Sequence, residues 1–340
     1  MTSLPTIGVR MHGGMAARAC IELAELADRH SFYSVWFAEN AFNRGVLPAM
    51  TGAILATKQL RVGVGVFNPY NRHPTLIAME MGALDELSGG RAQLGIGSGI
   101  GDRVMKMGLS YDKPIGAVRD AAHIVRAMMR GEAVDYTGAV FSAKGVRLEF
   151  PLHRPDFPIY VAGMGDQAVR LAGEVGDGLI ISNLCPPGYT ARAIGIVGEG
   201  AVKAGRATPQ TIVQYVPCVA RKNRDEARKV AMSIFGRTLA EYWTLGERTP
   251  AYRVAMVRES GIPESDVVAA VNRIKAGEDP VNVLDDRYLA AYTIAGNADD
   301  CLTAMRAFGK VGVTELVVTF QGTQPAEDMA YLGATLKANR

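Results

Sequence analysis

The residues of this chain best suited to chemistry stand at the ends of short apolar runs. Arg10-Met11-His12 closes the first run, Glu39-Asn40 the second, and Asn68 follows the third. Ser98 lies within Gly-Ile-Gly-Ser-Gly at 95–99, and Asn183 follows the sixth run. Glycosidic hydrolysis needs two carboxyl groups flanking one bond, and Glu39 stands alone at these ends, with Asp102 the nearest other acid. Metal-assisted hydrolysis needs clustered ligands, and the His and Asp residues do not cluster there. Ser98 satisfies G-x-S-x-G, but a nucleophile elbow also needs a downstream acid and histidine. The later histidines, His123 and His153, fall in a helical pattern and in a hairpin-like segment. There is no G-x-x-x-x-G-K-[ST] and no H-E-x-x-H, and glycines 95, 97, 99 and 101 do not make G-x-G-x-x-G.

Small residues dominate the same ends. Gly65, Gly97, Gly99, Gly163 and Gly165 let backbone approach a flat or phosphorylated ligand closely. Gly163-Met164-Gly165 precedes a helical pattern, whose first N–H groups suit a phosphate. A mouth with room for a large cofactor and few catalytic side chains fits redox chemistry, in which the cofactor performs the hard step. His12 reads as a hydrogen-bonding pocket residue or, alternatively, as a proton carrier.

The elements that must position these residues form a regular series. Val- and Ile-rich runs occur at Thr6–Arg10, Tyr33–Ala38, Leu60–Val66, Ala92–Gly97, Pro158–Ala162, Gly178–Ser182, Ile212–Val219 and Thr314–Phe320. Near-continuous apolar runs indicate strands buried on both faces, as in parallel sheets covered by helices. Helical patterns lie at Ala16–His30, from Pro74 to the Gly89-Gly90 stop, and at Lys113–Arg130, Asp166–Val175, Tyr189–Ala204, Asp225–Phe235, Ala298–Lys310 and Ala326–Lys337. Eight such strands with intervening helices predict an α/β fold, a (β/α)8 TIM barrel over residues 1–340. Two segments exceed the barrel's needs. Residues 131–157 read as a hairpin-like insertion turning around Lys144-Gly145, and residues 236–297 read as a helical insertion between the seventh and eighth strands. The second insertion follows a strand, so it belongs over the C-terminal mouth, where barrel enzymes keep their sites.

Composition narrows the partners. Charged residues are 21% of the 340, and the net charge is +3, with no basic cluster. Nucleic acid is disfavoured as a partner, and a small molecule is expected. No signal peptide and no membrane-length apolar stretch is evident, so a cytoplasmic location is expected. The four cysteines, Cys20, Cys185, Cys218 and Cys301, suit neither a zinc site nor a disulfide scaffold.

Residues 62–99, VGVGVFNPYNRHPTLIAMEMGALDELSGGRAQLGIGSG, carry a more specific signal. With V-W-F-A-E-N at 35–40 and A-G-x-x-G-D-G at 172–178, this pattern resembles the luciferase-like superfamily of flavin- and deazaflavin-dependent oxidoreductases. Within it, the chain looks most like the F420-dependent methylenetetrahydromethanopterin reductase branch. The resemblance implies a barrel with an insertion after strand 7, a homodimer or larger assembly, and a cofactor ring in the C-terminal mouth. It implies a cis peptide at Gly65-Val66 behind the ring, a phosphate site at Gly163, Met164 and Gly165, and Gly97, Ser98 and Gly99 beside the ring or its side chain. Glu39, Asn40, Asn68 and Asn183 complete the implied cofactor set. Several F420-dependent relatives carry Asp-His where this chain has Glu39-Asn40. An Asn amide does not titrate near neutral pH, so a histidine-based mechanism does not transfer. The implied activity is hydride transfer between F420 and a small organic substrate. One alternative is an FMN-dependent monooxygenase supplied by a separate flavin reductase. Another is a non-catalytic flavin-binding protein.

Overall fold

The computed structural model describes residues 4–339. Eight parallel strands close a barrel: β1 (Thr6–His12), β2 (Ser34–Ala38), β3 (Arg61–Phe67), β4 (Ala92–Ile96), β7 (Ile159–Ala162), β8 (Gly178–Ile181), β9 (Thr211–Ala220) and β11 (Glu315–Phe320). All eight apolar runs are therefore barrel strands. Pairing of β8 with the first half of β9 completes the ring. The second half of β9 carries a short extra strand, β10 (Ile294–Gly296), with Ile294 opposite Cys218.

Strand alternation separates two cores. Val35 and Phe37 join the large cluster between strands and helices, whereas Trp36 joins Tyr160, Ile180, Val213, Tyr215 and Val317 in a separate cluster. That second cluster fills the barrel interior, as expected for a packed barrel rather than a pore. At its lower end Glu315 accepts hydrogen bonds from Ser34 Oγ and, at 2.6 Å, from Trp36 Nε1.

The outer layer contains α1 (Ala17–Arg29), α2 (Leu47–Ala56), α3 (Pro74–Ser88), α5 (Pro114–Met129), α6 (Asp166–Val175), α7 (Pro187–Lys203), α8 (Arg224–Leu245), α13 (Ala298–Lys310) and α14 (Pro325–Ala338), with the short α4 (Gly101–Lys106) at the end of β4. Helix α3 starts at Pro74, is capped by His73 and stops at Gly89 with φ +63°. Its limits match the Pro and Gly signals. Helix α2 was not predicted. It carries no charged residue, so it lacks the polar face that reveals a surface helix in sequence.

Two expectations need correction. Strands β5 (Val134–Thr137) and β6 (Ser142–Val146) pair antiparallel with Thr137 opposite Ser142, so the turn is at 138–141 and not at Lys144-Gly145. Asp120 of α5 fixes it there, accepting from the amides of Val140 at 2.7 Å and Phe141 at 3.0 Å. The helix predicted to end at Phe235 continues as α8 to Leu245. Gly236 does not break it; a Cβ there would lie 2.4 Å from Pro280 Cβ, so the glycine admits a close helix contact.

After α8 come α9 (Ala251–Val257), α10 (Glu264–Lys275), α11 (Pro280–Val283) and α12 (Asp286–Tyr292). Their apolar residues form a cluster of their own around Phe235, Trp243, Met256 and Tyr292. Phe235 and Tyr292 stack with ring centroids 5.3 Å apart. This packing holds the end of α8 and the start of α9 over the barrel mouth.

Candidate active site

The C-terminal ends of the strands enclose a cavity of about 700 Å³, a size usual for small-molecule sites. Glu39, Asn40, Gly65, Val66, Asn68, Gly97, Ser98, Gly99, Gly163, Met164 and Gly165 all line it. Two sequence candidates do not. The ring of His12 folds back so that Nδ1 accepts from the Gly14 amide at 3.2 Å, and it borders a separate crevice of about 10 Å³ with Cys20 and Arg44. Asn183 is buried beside the cavity without lining it. None of the five histidines faces the cavity, so Ser98 has no general base there and the hydrolase reading fails.

One wall is built from absent side chains. The Gly65-Val66 peptide is cis, and the β3–β4 register slips between Val64 and Phe67. A Cβ on Gly65 would lie 1.7 Å from Tyr215 Oη, and one on Gly97 would lie 2.9 Å from Val66 Cγ2. Gly99, at φ +72°, has no room for a Cβ, which would fall 2.2 Å from Asn68 Nδ2. Asn68 itself stabilises the following turn, accepting from the Tyr70 amide at 2.9 Å. Beside this wall, after β7, Gly165 caps α6, and the first residues of that helix, Asp166, Gln167 and Ala168, line the cavity. Helix N-termini present free N–H groups and favour anions.

Among the described residues, Glu39 is the only carboxylate that lines this mouth directly at a strand end. Its Oε1 accepts from Arg72 at 2.7 Å, and Arg72 also pairs with Glu80 at 2.8 Å while lying 4.1 Å over the Phe67 ring. The fold makes Arg72 the clamp on Glu39. Glu39 Oε2 is buried and has no hydrogen-bond partner among the described residues. Burial raises the Glu39 carboxyl above its ordinary value, and the Arg72 guanidinium and the nearby Asn71 side chain oppose that rise.

Several lining residues were not found from sequence. Arg10 comes from β1, Tyr215 from β9, and Tyr242, Arg248 and Tyr252 from the insertion. For Arg10 a signal existed: it occupies the same strand end as His12, one alternation step inward. The insertion residues depend on tertiary packing and had no local signal.

A parallel eight-stranded barrel whose glycine-lined mouth carries one buried, half-satisfied carboxylate defines a barrel enzyme built around a large ligand. The chain belongs to the luciferase-like monooxygenase family, whose model matches residues 1–315. It is 31% identical over 301 residues to a 5,10-methylenetetrahydromethanopterin reductase of Archaeoglobus fulgidus, covering 86% of each chain. It is also 31% identical over 210 residues to an F420-dependent glucose-6-phosphate dehydrogenase of Beutenbergia cavernae, covering 56% of this chain and 60% of that one. Among solved structures, the coenzyme F420-dependent tetrahydromethanopterin reductase of Methanopyrus kandleri superimposes with a TM-score of 0.83 at 22% identity, covering 99% of both chains.

Proposed function

We propose that this protein is an F420-dependent oxidoreductase that moves a hydride between the deazaflavin and a small unsaturated or imine-like substrate. The observation that carries the reading is the mouth itself: a glycine wall on β3 and β4 that admits a flat ring, a helix N-terminus beside it after β7, and on its other side, at the end of β2, Glu39 with its unpartnered Oε2. The residues fit the group. Gly163, Met164, Gly165 and the first amides of α6 would hold its phosphate. Gly65 and Val66 would back the ring, with Gly97, Ser98, Gly99, Asn40 and Asn68 along its edge. His12 and Asn183 have no part in this arrangement, because neither lines the cavity.

When bound, the deazaflavin supplies two-electron hydride chemistry. The chain's own work is positioning and proton handling. The walls and the insertion fix the reacting faces and exclude water. Arg72 fixes one oxygen of Glu39, leaving Oε2 to hold a proton or to orient the bound ring. We also read the chain as a cytoplasmic homodimer. Helix α2 lacks charge, and Leu55, Leu76 and Met79 expose an apolar face across α2 and α3; sedimentation velocity should give twice the chain mass.

The activity is tested anaerobically with reduced F420 and a panel of imine, enone and ketone substrates that includes methylenetetrahydromethanopterin. Return of oxidised-F420 fluorescence with at least one substrate supports the reading. Oxygen consumption with reduced FMN, and no F420 oxidation, replaces it with the monooxygenase alternative.

A further inference from the structure

Three carboxylates and three guanidiniums line the cavity, but they do not all pair with one another. Its carboxylates are Glu39, Asp102 and Asp166, and each already has a guanidinium partner: Arg72, Arg248 and Arg192 respectively. Of the remaining lining arginines, Arg103 donates to the Ala41 carbonyl. The Arg10 side chain has no hydrogen bond and no ion pair among the described residues, and its Nε is fully buried and unpartnered. Its one contact of note is the Tyr215 ring, with the guanidinium 5.2 Å from the centroid. The Tyr215 hydroxyl is itself turned to the Gly65 carbonyl, at 3.4 Å. On the neighbouring strand Thr319 follows Val318, the register partner of Val9, and its Oγ1 is likewise buried without a partner.

A partly desolvated cation without a counter-ion is costly, and a guanidinium fork matches a carboxylate in two-point contact. We propose that Arg10 recognises a carboxylate of the substrate at the floor of this cavity, so that the substrates of the hydride transfer are acids. The proposal rests on the function proposed above, and it gives Arg10 a binding role alongside Glu39. A guanidinium also donates to neutral oxygen acceptors, and the carbonyl oxygens of the cofactor ring are such a second source; the test separates the two.

The probes are benzoate and its uncharged counterpart benzamide, titrated calorimetrically into wild type, Arg10→Gln and Arg10→Lys, each loaded with whichever of F420 or FMN the wild type binds. Cofactor affinity is measured separately by fluorescence. The expected result is a benzoate preference of roughly tenfold or more in the wild type. Arg10→Gln should abolish that preference, Arg10→Lys should keep part of it, and both variants should bind cofactor like the wild type. A wild type that treats the probes alike or binds neither overturns the proposal, as does a preference that survives in Arg10→Gln. Folded Arg10→Gln that loses cofactor affinity assigns the oxygen to the ring and overturns the substrate carboxylate. Should Arg10→Gln fail to fold, the wild-type comparison and Arg10→Lys decide. Failure of the F420 reading alone shows as wild-type binding of FMN instead, with the benzoate comparison still readable.

Discussion

Glu39 and Arg10 bring opposite charges into one cavity and are held in opposite ways. Glu39 shares its charge with Arg72 through one oxygen, while Arg10 has only an aromatic face beneath it. If Glu39 handles a proton, Glu39→Gln should slow turnover by about a hundredfold and leave cofactor affinity largely unchanged. The wild-type pH profile should also show an ionisation above the usual carboxylate range, in line with the burial of Glu39, and the variant should lack it. Wild-type kinetics in Glu39→Gln would remove the proton role. Glu315 offers a stability test away from the site. Burial raises its carboxyl above the ordinary value, against the donors Ser34 and Trp36. The folded state then keeps a proton that the unfolded chain releases, so stability falls as pH rises through the folded value. Glu315→Gln should therefore gain on wild type in thermal unfolding as pH rises, and Glu315→Ala should lose about 3 kcal/mol by stranding two buried donors. A Glu315→Gln offset that is constant with pH contradicts this. At this scale the sequence located strand ends but not side-chain directions. It read His12 as a pocket residue or proton carrier, whereas the chain turns at His12 and leaves Arg10 lining the cavity.

At the scale of elements, the phosphate end of the site depends on how closely α6 approaches β7. A Cβ on Gly163 would lie 2.4 Å from Ala168 Cβ, so the strand end and the helix N-terminus meet through a missing side chain. Gly163→Asp adds both bulk and a carboxylate where the proposed phosphate binds. Cofactor affinity should fall by roughly a hundredfold or more while circular dichroism remains native, because like charges in contact cost several kcal/mol. Unchanged affinity would remove the phosphate assignment. Strands and capped helices were readable because burial and end signals are local: Pro74 and Gly89 bound α3 in sequence and in space. The hairpin turn and the end of α8 were misjudged because distant partners decide them. Asp120 anchors the turn from another helix, and Pro280 packs on Gly236 from well along the chain. Gly236 admits a close helix contact, whereas Gly145 has open space around it and marks no reversal.

For the molecule as a whole, barrel closure follows from eight strands that are apolar on both faces, and that pattern survives without tertiary information. The roof of the cavity does not. Tyr242, Arg248 and Tyr252 reach the mouth because the insertion packs on a core of its own, and no local period announces where such a core will sit. The central claim is that the mouth is shaped for a deazaflavin. Its most direct test is a side-by-side fluorescence titration of cofactor-free protein with F420 and with FMN. The account predicts tight, saturable binding of F420 and much weaker binding of FMN. Tight binding of FMN with none of F420 would contradict it and point to oxygen-using flavin chemistry in the same barrel.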